Sequence, residues 1–180
     1  ASANCVKYCG GEIVFADIDP STYLLDVNKV RSLLEKSPKG TYTGIIPVDF
    51  AGRPNDMEKF RELADEYGIW ILQDSCHSPG GYFNDSQGLK QNCGNGEFAE
   101  LAIFSFHPVK HIAAGEGGMI TTNDEELYNE SLNELSNVSS SNSNLLDEFN
   151  TYKIYSINSE KLDIREKAND GSIVVGSYSR

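Results

Sequence analysis

Three short, almost unbroken apolar runs, at 43–48, 69–72 and 100–106, constrain this chain more than any other feature. Runs of that length without polar alternation fit strands covered on both faces. Between the first two, Met57, Phe60, Leu63, Ala64 and Tyr67 recur at helical spacing. Asn55 or Asp56 can cap that helix, and Gly68 can stop it. Strand, helix, strand in so few residues means a crossover between parallel neighbours.

The rest follows the same grammar. Residues 12–18 alternate and are rich in β-formers, which predicts a strand almost at the start of the chain. Asp26 can cap a helix through Val30, Leu33 and Leu34 that ends at Ser37-Pro38-Lys39-Gly40. Residues 79–96 read as an exposed polar excursion with little regular structure. Residues 119–122 form a further strand, and Asn123 or Asp124 caps a helix through Leu127 and Leu132. The order βαβαβ…ββα predicts an α/β fold, a mainly parallel sheet with helices on both faces, over 1–135. Residues 136–144 are low-complexity Ser/Asn, and 150–180 are polar with weak β character at Ile173-Val174-Val175. The segment 136–180 is therefore expected to be a linker and a poorly specified tail.

The net charge of -12 over 180 residues argues against a nucleic-acid partner, which needs a basic face. No run is long and apolar enough to span a bilayer, and the first residues have no basic and apolar leader pattern. Cytoplasmic placement is the expectation. There is no initiator Met and a strand is expected at once, so an upstream part is expected to be missing. Cys5, Cys9, Cys76 and Cys93 lack zinc spacing. They read as small buried filler in a reducing compartment.

Ligands of parallel sheets gather outside the carboxyl ends of the strands. Asp74 closes the run at 69–72. Lys110 lies just past 100–106 in Phe104-Ser105-Phe106-His107-Pro108-Val109-Lys110, before the turn Gly115-Glu116-Gly117-Gly118. An amine and a carboxylate on that edge suit pyridoxal 5'-phosphate. Its aldehyde needs a lysine, and its ring nitrogen needs an acid that keeps it protonated. Lys110 could also move the proton in the reaction, although a lysine after a strand is ordinarily a solvated surface group. Asp74 could equally be a turn cap. Ser105 could bond the cofactor phosphate or merely its own backbone. His77 could pack on the ring or be structural. A cysteine hydrolase built on Cys76 with His77 or His107 lacks an orienting third group.

Those motifs resemble a known family. Ala1-Ser2-Ala3-Asn4-Cys5-Val6, Pro47-Val48-Asp49-Phe50-Ala51-Gly52, Gln73-Asp74-Ser75-Cys76-His77 and the Lys110 segment with its glycine turn are similar to the DegT/StrS nucleotide-sugar aminotransferases. The His-Pro-Val-Lys form most resembles the branch that aminates the C4 ketone of UDP-4-keto-6-deoxy-N-acetylhexosamines, as in pseudaminic acid synthesis. The resemblance implies the core of a fold-type I aminotransferase large domain. It gives Lys110 as the cofactor-binding catalytic lysine, Asp74 as the ring-nitrogen partner, His77 as a ring contact and Ser105 as a phosphate contact. It also implies an amino-acid donor, usually L-glutamate, a nucleotide-sugar acceptor, a role in polysaccharide biosynthesis and a homodimer.

Asp49 stands where the family usually has histidine, and Gln73 where glutamate is common. Ala113-Ala114 replaces the usual Thr-Thr or Thr-Cys, and the excursion at 84–96 looks longer than usual. The family's phosphate turn and small domain have no counterpart here, and the tail after Glu134 does not match. The chain therefore reads as a central fragment. Its alternative is a truncated or degenerate homologue that acts as a non-catalytic binding or structural module.

Overall fold

The computed structural model describes residues 1–115, 117–141 and 152–156, with side chains through residue 133. In chain order the elements are α1 (Ser2–Tyr8), α2 (Val27–Glu35), β1 (Gly44–Ile45), α3 (Met57–Tyr67), β2 (Trp70–Asp74), β3 (Tyr82–Asn84), β4 (Lys90–Asn92), β5 (Leu101–Ser105), β6 (Gly118–Thr122), α4 (Glu125–Ser141) and β7 (Tyr152–Ser156). A 3-10 turn at Phe50–Gly52 follows β1.

The main sheet runs β1-β2-β5-β6-β7. The pairs β1/β2, β2/β5 and β6/β7 are parallel, and β5/β6 is antiparallel. This is the α/β fold that the apolar runs predict. The core is built from Val30 and Leu34 of α2, Ile45 of β1, Met57, Phe60, Leu63 and Ala64 of α3, and Ile71 of β2. Burying each large aliphatic side chain there contributes roughly 1.5–3 kcal/mol.

Helix ends follow local chemistry. Asp26 Oδ1 accepts from Asn28 N at 2.8 Å, and Asp124 Oδ1 accepts from Glu126 N at 2.8 Å and Leu127 N at 3.0 Å. Asp56 caps α3. Gly68 ends it at φ +68, a left-handed conformation that costs a residue with a Cβ about 1–2 kcal/mol.

Several expectations are corrected. Residues 12–18 form no strand, and Ile18 makes only an isolated antiparallel bridge with Leu25. Residues 11–16 line one wall of an apolar cavity of about 960 Å³, and residues 41–46 and Val48 line another. With no strand in that space, the β-formers at 12–16 have no ladder to join. A helix, α1, stands at the start instead, and it buries no residue.

The run at 43–48 shortens to two ladder residues because Pro47 has no N–H to give; Val48 bridges Asp74 beyond it. The excursion holds an antiparallel pair, β3 with β4. Its turn is organised by Asp85, which accepts from Gln87 N at 3.0 Å and Leu89 N at 2.8 Å, and by Glu58, which accepts from Ser86 N and Oγ, both at 2.7 Å. Helix α4 continues to Ser141 through the Ser/Asn stretch, and β7 adds a strand beside β6. Ile173-Val174-Val175 lies outside the described residues. Of the cysteines only Cys93 is buried; Cys5 and Cys9 are exposed on α1, which has nothing to pack under. Among the described residues no helix is long and apolar enough to cross a membrane.

Candidate active site

Strands β2 and β5 are parallel neighbours with Asp74 opposite Ile103, so both point their carboxyl ends the same way. Asp74 is the last residue of β2 and is 4% exposed. Its Oδ2 accepts from Ser2 Oγ at 2.5 Å and its Oδ1 from Cys76 N at 3.1 Å. Ser75 N donates to Ile103 O at 2.9 Å and keeps the following turn laced to β5.

Past β5 the chain makes a loop with a pinned neck. Phe106 N donates to Gly117 O at 2.8 Å and Ala114 N donates to Phe106 O at 2.9 Å. Lys110 sits on that loop, in a turn closed by its own N–H to His107 O at 2.9 Å. It is half-buried while residues 107–109 and 111–115 are exposed.

The electrostatics of Cys76 connect the two halves. Burial pushes its thiol up to about 12, and hydrogen bonding to Asp74 and the Asp74 charge add to the rise. The Lys110 charge pulls in the opposite direction. Lys110 follows β5 and Asp74 ends β2, and those two strands are parallel neighbours. The structure therefore brings Asp74 and Lys110 to one edge of the sheet.

His77 lies on the far side of the turn after Asp74. Its Nδ1 faces Ala51 N at 3.4 Å, a long bond, and its ring is 6.1 Å from that of Phe50. Ala51 adopts φ +53 to present that N–H, which is left-handed strain in a residue with a Cβ. Ser105 Oγ accepts from His107 N at 3.4 Å, which is the backbone contact open to any serine at a strand end.

The large cavity is a separate feature. None of Asp74, His77, Ser105 and Lys110 lines it, and it reaches the site only through Ser2, Val48 and Phe50. The candidate residues lie instead on the carboxyl side of β2 and β5.

Two contributors escaped the sequence reading. Ser2 is a residue of α1, 72 positions from the carboxylate it bonds, and its sequence signal is its place in the Ala1–Val6 segment that resembles the family. Asp49 is fully buried and accepts from Asn55, Gln73, Ser75 and Ser78. Its sequence signals were its place in the Pro47-Val48-Asp49 segment and its departure from the histidine usual in the family.

The donor set fits pyridoxal 5'-phosphate. A buried carboxylate and a primary amine lie at adjacent strand ends, with further polar side chains around them. Asp74 would take the ring nitrogen and Lys110 the aldehyde.

The chain matches the DegT/DnrJ/EryC1/StrS aminotransferase family over residues 1–158. It is 36% identical over 127 residues to the GDP-perosamine synthase of Caulobacter vibrioides, covering 71% of this chain and 31% of that protein. Helicobacter pylori PseC, an aminotransferase involved in the biosynthesis of pseudoaminic acid, superimposes with a TM-score of 0.59 at 30% identity, over 72% of this chain and 32% of that one. NtdA from Bacillus subtilis, solved with bound cofactor PMP, gives 0.56 at 29% identity, over 69% and 25%. The chain spans about a third of the length of these relatives.

Proposed function

This chain belongs to the DegT/DnrJ/EryC1/StrS aminotransferase family, and we propose that it is the cofactor-binding core of a pyridoxal 5'-phosphate enzyme that transfers an amino group to a nucleotide-linked keto-sugar. The acceptor we assign is a UDP-4-keto-6-deoxy sugar, and the donor an amino acid, L-glutamate. Similarity to a GDP-perosamine synthase supports a nucleotide-linked sugar as acceptor, and similarity to PseC supports the pseudaminic-acid type. A homodimer in the cytoplasm is part of the same reading, as is the division into a large-domain piece at 1–135 and a tail at 136–180.

Bound here, the cofactor supplies a carbonyl that exchanges amines and a ring that withdraws electrons. Asp74 holds a proton on the ring nitrogen through its carboxylate, itself held by Ser2 Oγ and Cys76 N. The Lys110 amine takes a proton from the substrate carbon and returns it one position away. His77 would pack beside the ring, and Ser105 would donate to the phosphate. The donor leaves as a keto acid, and the sugar ketone becomes an amine.

The observation that carries the reading is that Asp74 ends β2 and Lys110 follows β5, its parallel neighbour, so that both belong to the carboxyl side of the same sheet. The test is to incubate the chain with pyridoxal phosphate, dialyse, and map retained label after borohydride fixation. Label on Lys110 that disappears in Lys110→Ala supports the proposal. Label scattered over surface lysines refutes it. A second reading is a non-catalytic binding or structural module. That reading predicts no retention at all.

A further inference from the structure

We propose that Asp49 is a positioning residue that locks the turn carrying Asp74 and His77; this rests on the functional reading above. Asp49 is 0% exposed. Its Oδ1 accepts from Asn55 N at 2.8 Å and Asn55 Nδ2 at 3.0 Å. Its Oδ2 accepts from Gln73 Nε2 at 2.9 Å, Ser75 Oγ at 3.0 Å and Ser78 Oγ at 2.8 Å. Among the described residues no lysine, arginine or histidine forms an ion pair with it.

Burying a carboxylate costs several kcal/mol, roughly, even after the surroundings relax. Five donors offset that cost here, and their placement is informative. Three come from residues 73, 75 and 78, which flank Asp74 and His77 on both sides. The other two come from Asn55, just before the cap of α3. One carboxylate thus ties the ligand-edge turn to the start of a core helix. The backbone doubles the tie: Asp49 N donates to Asp74 O and Asp74 N to Pro47 O, both at 2.9 Å.

Gln73 is fitted to this arrangement, because its Nε2 serves Asp49 while its Oε1 accepts from Gly94 N at 3.1 Å. Turning that amide to suit a different partner would set its NH2 against the Gly94 N–H. Asp49→Asn therefore cannot be absorbed by a simple flip. An amide nitrogen at either oxygen position meets donors that already point there.

The test uses the full chain, with pyridoxal phosphate as ligand and iodoacetamide as a probe of the half-buried Cys76 thiol, read site by site by mass spectrometry. Asp49→Asn is expected to keep its circular dichroism, alkylate at Cys76 at least tenfold faster and bind the cofactor at least tenfold more weakly. Ser75→Ala and Ser78→Ala, each removing one donor, are expected to shift both readouts about threefold. Leu63→Ala, which weakens the core elsewhere, should leave native-state Cys76 labelling unchanged and so separates positioning from general loss of stability. Folded Asp49→Asn with both readouts within twofold of wild type overturns the proposal. If Asp49→Asn does not fold, the serine variants decide: wild-type behaviour in both overturns it, and the threefold shifts sustain it. If the unmutated chain retains no cofactor, the functional reading falls, and Cys76 labelling alone still decides the role of Asp49.

Discussion

Replacing Gly94 by alanine tests how tightly the polar excursion is keyed to the sheet beneath the site. Gly94 has φ +72, and a Cβ built there would lie 2.5 Å from Phe104 Cζ and 3.3 Å from Thr121 Oγ1. The backbone has little room to retreat. Its N–H is held by Gln73 Oε1 at 3.1 Å, and its carbonyl accepts from Thr121 Oγ1 at 2.7 Å. The left-handed conformation costs alanine about 1–2 kcal/mol, and forcing a methyl into a packed region about 1–3 more, so about 2–5 kcal/mol in all. Against the typical stability of about 5–15 kcal/mol, that lowers the urea midpoint substantially. Equilibrium unfolding followed by circular dichroism measures it, and a loss under 1 kcal/mol would falsify the reasoning. Because the displaced N–H is the one that orients Gln73, the same variant should also accelerate Cys76 alkylation.

Ser2→Ala removes the hydroxyl that Asp74 accepts at 2.5 Å, a bond to a charged group worth roughly 1.5–3 kcal/mol. Since α1 has no fully buried residue to hold it, proteolysis within residues 1–10 is expected to quicken; an unchanged cleavage rate contradicts the assignment. Glu100→Gln weakens the contacts to Ile71 N at 2.6 Å and Arg61 Nη1 at 2.7 Å and should cost about 1–3 kcal/mol in urea titration; a neutral result sinks that estimate. Burial pushes the thiols of Cys76 and Cys93 from 9.0 up to about 12. The folded chain therefore holds those protons more tightly than the unfolded chain. This contribution is complete below pH 9 and fades as pH climbs toward 12. Stability should fall over that window and fall less in Cys93→Ala; parallel profiles for the two proteins would exclude Cys93 as a cause.

Segments whose signals are local could be read directly from the sequence. Helix α3 announces itself through Asp56, its apolar face and Gly68, and β2, β5 and β6 through apolar runs that no helix of that length would need. Asp74 and Lys110 were singled out for the same reason, as chemistry at or just past the ends of the expected strands. Residues 12–18 misled because alternation specifies a willingness to pair and says nothing about whether a neighbour is present. The β3/β4 pair is written mainly in polar residues, where turn chemistry at Asp85 replaces hydrophobic pattern. Asp49, Gln73, Ser75 and Ser78 looked like loop residues, since a buried polar cluster shares its composition with an exposed turn. Only three-dimensional proximity separates the two.

The outer rim of β1 has a practical consequence. On that side the two-residue strand has no neighbour in the sheet among the described residues, and Val14, Phe15, Ile18 and Tyr23 stand well exposed around the adjoining hollow. An open strand margin beside greasy side chains is sticky toward any extended peptide, including another molecule of the same kind. Concentrated preparations should self-associate through this flank, and light scattering should diminish when Phe15 is exchanged for lysine.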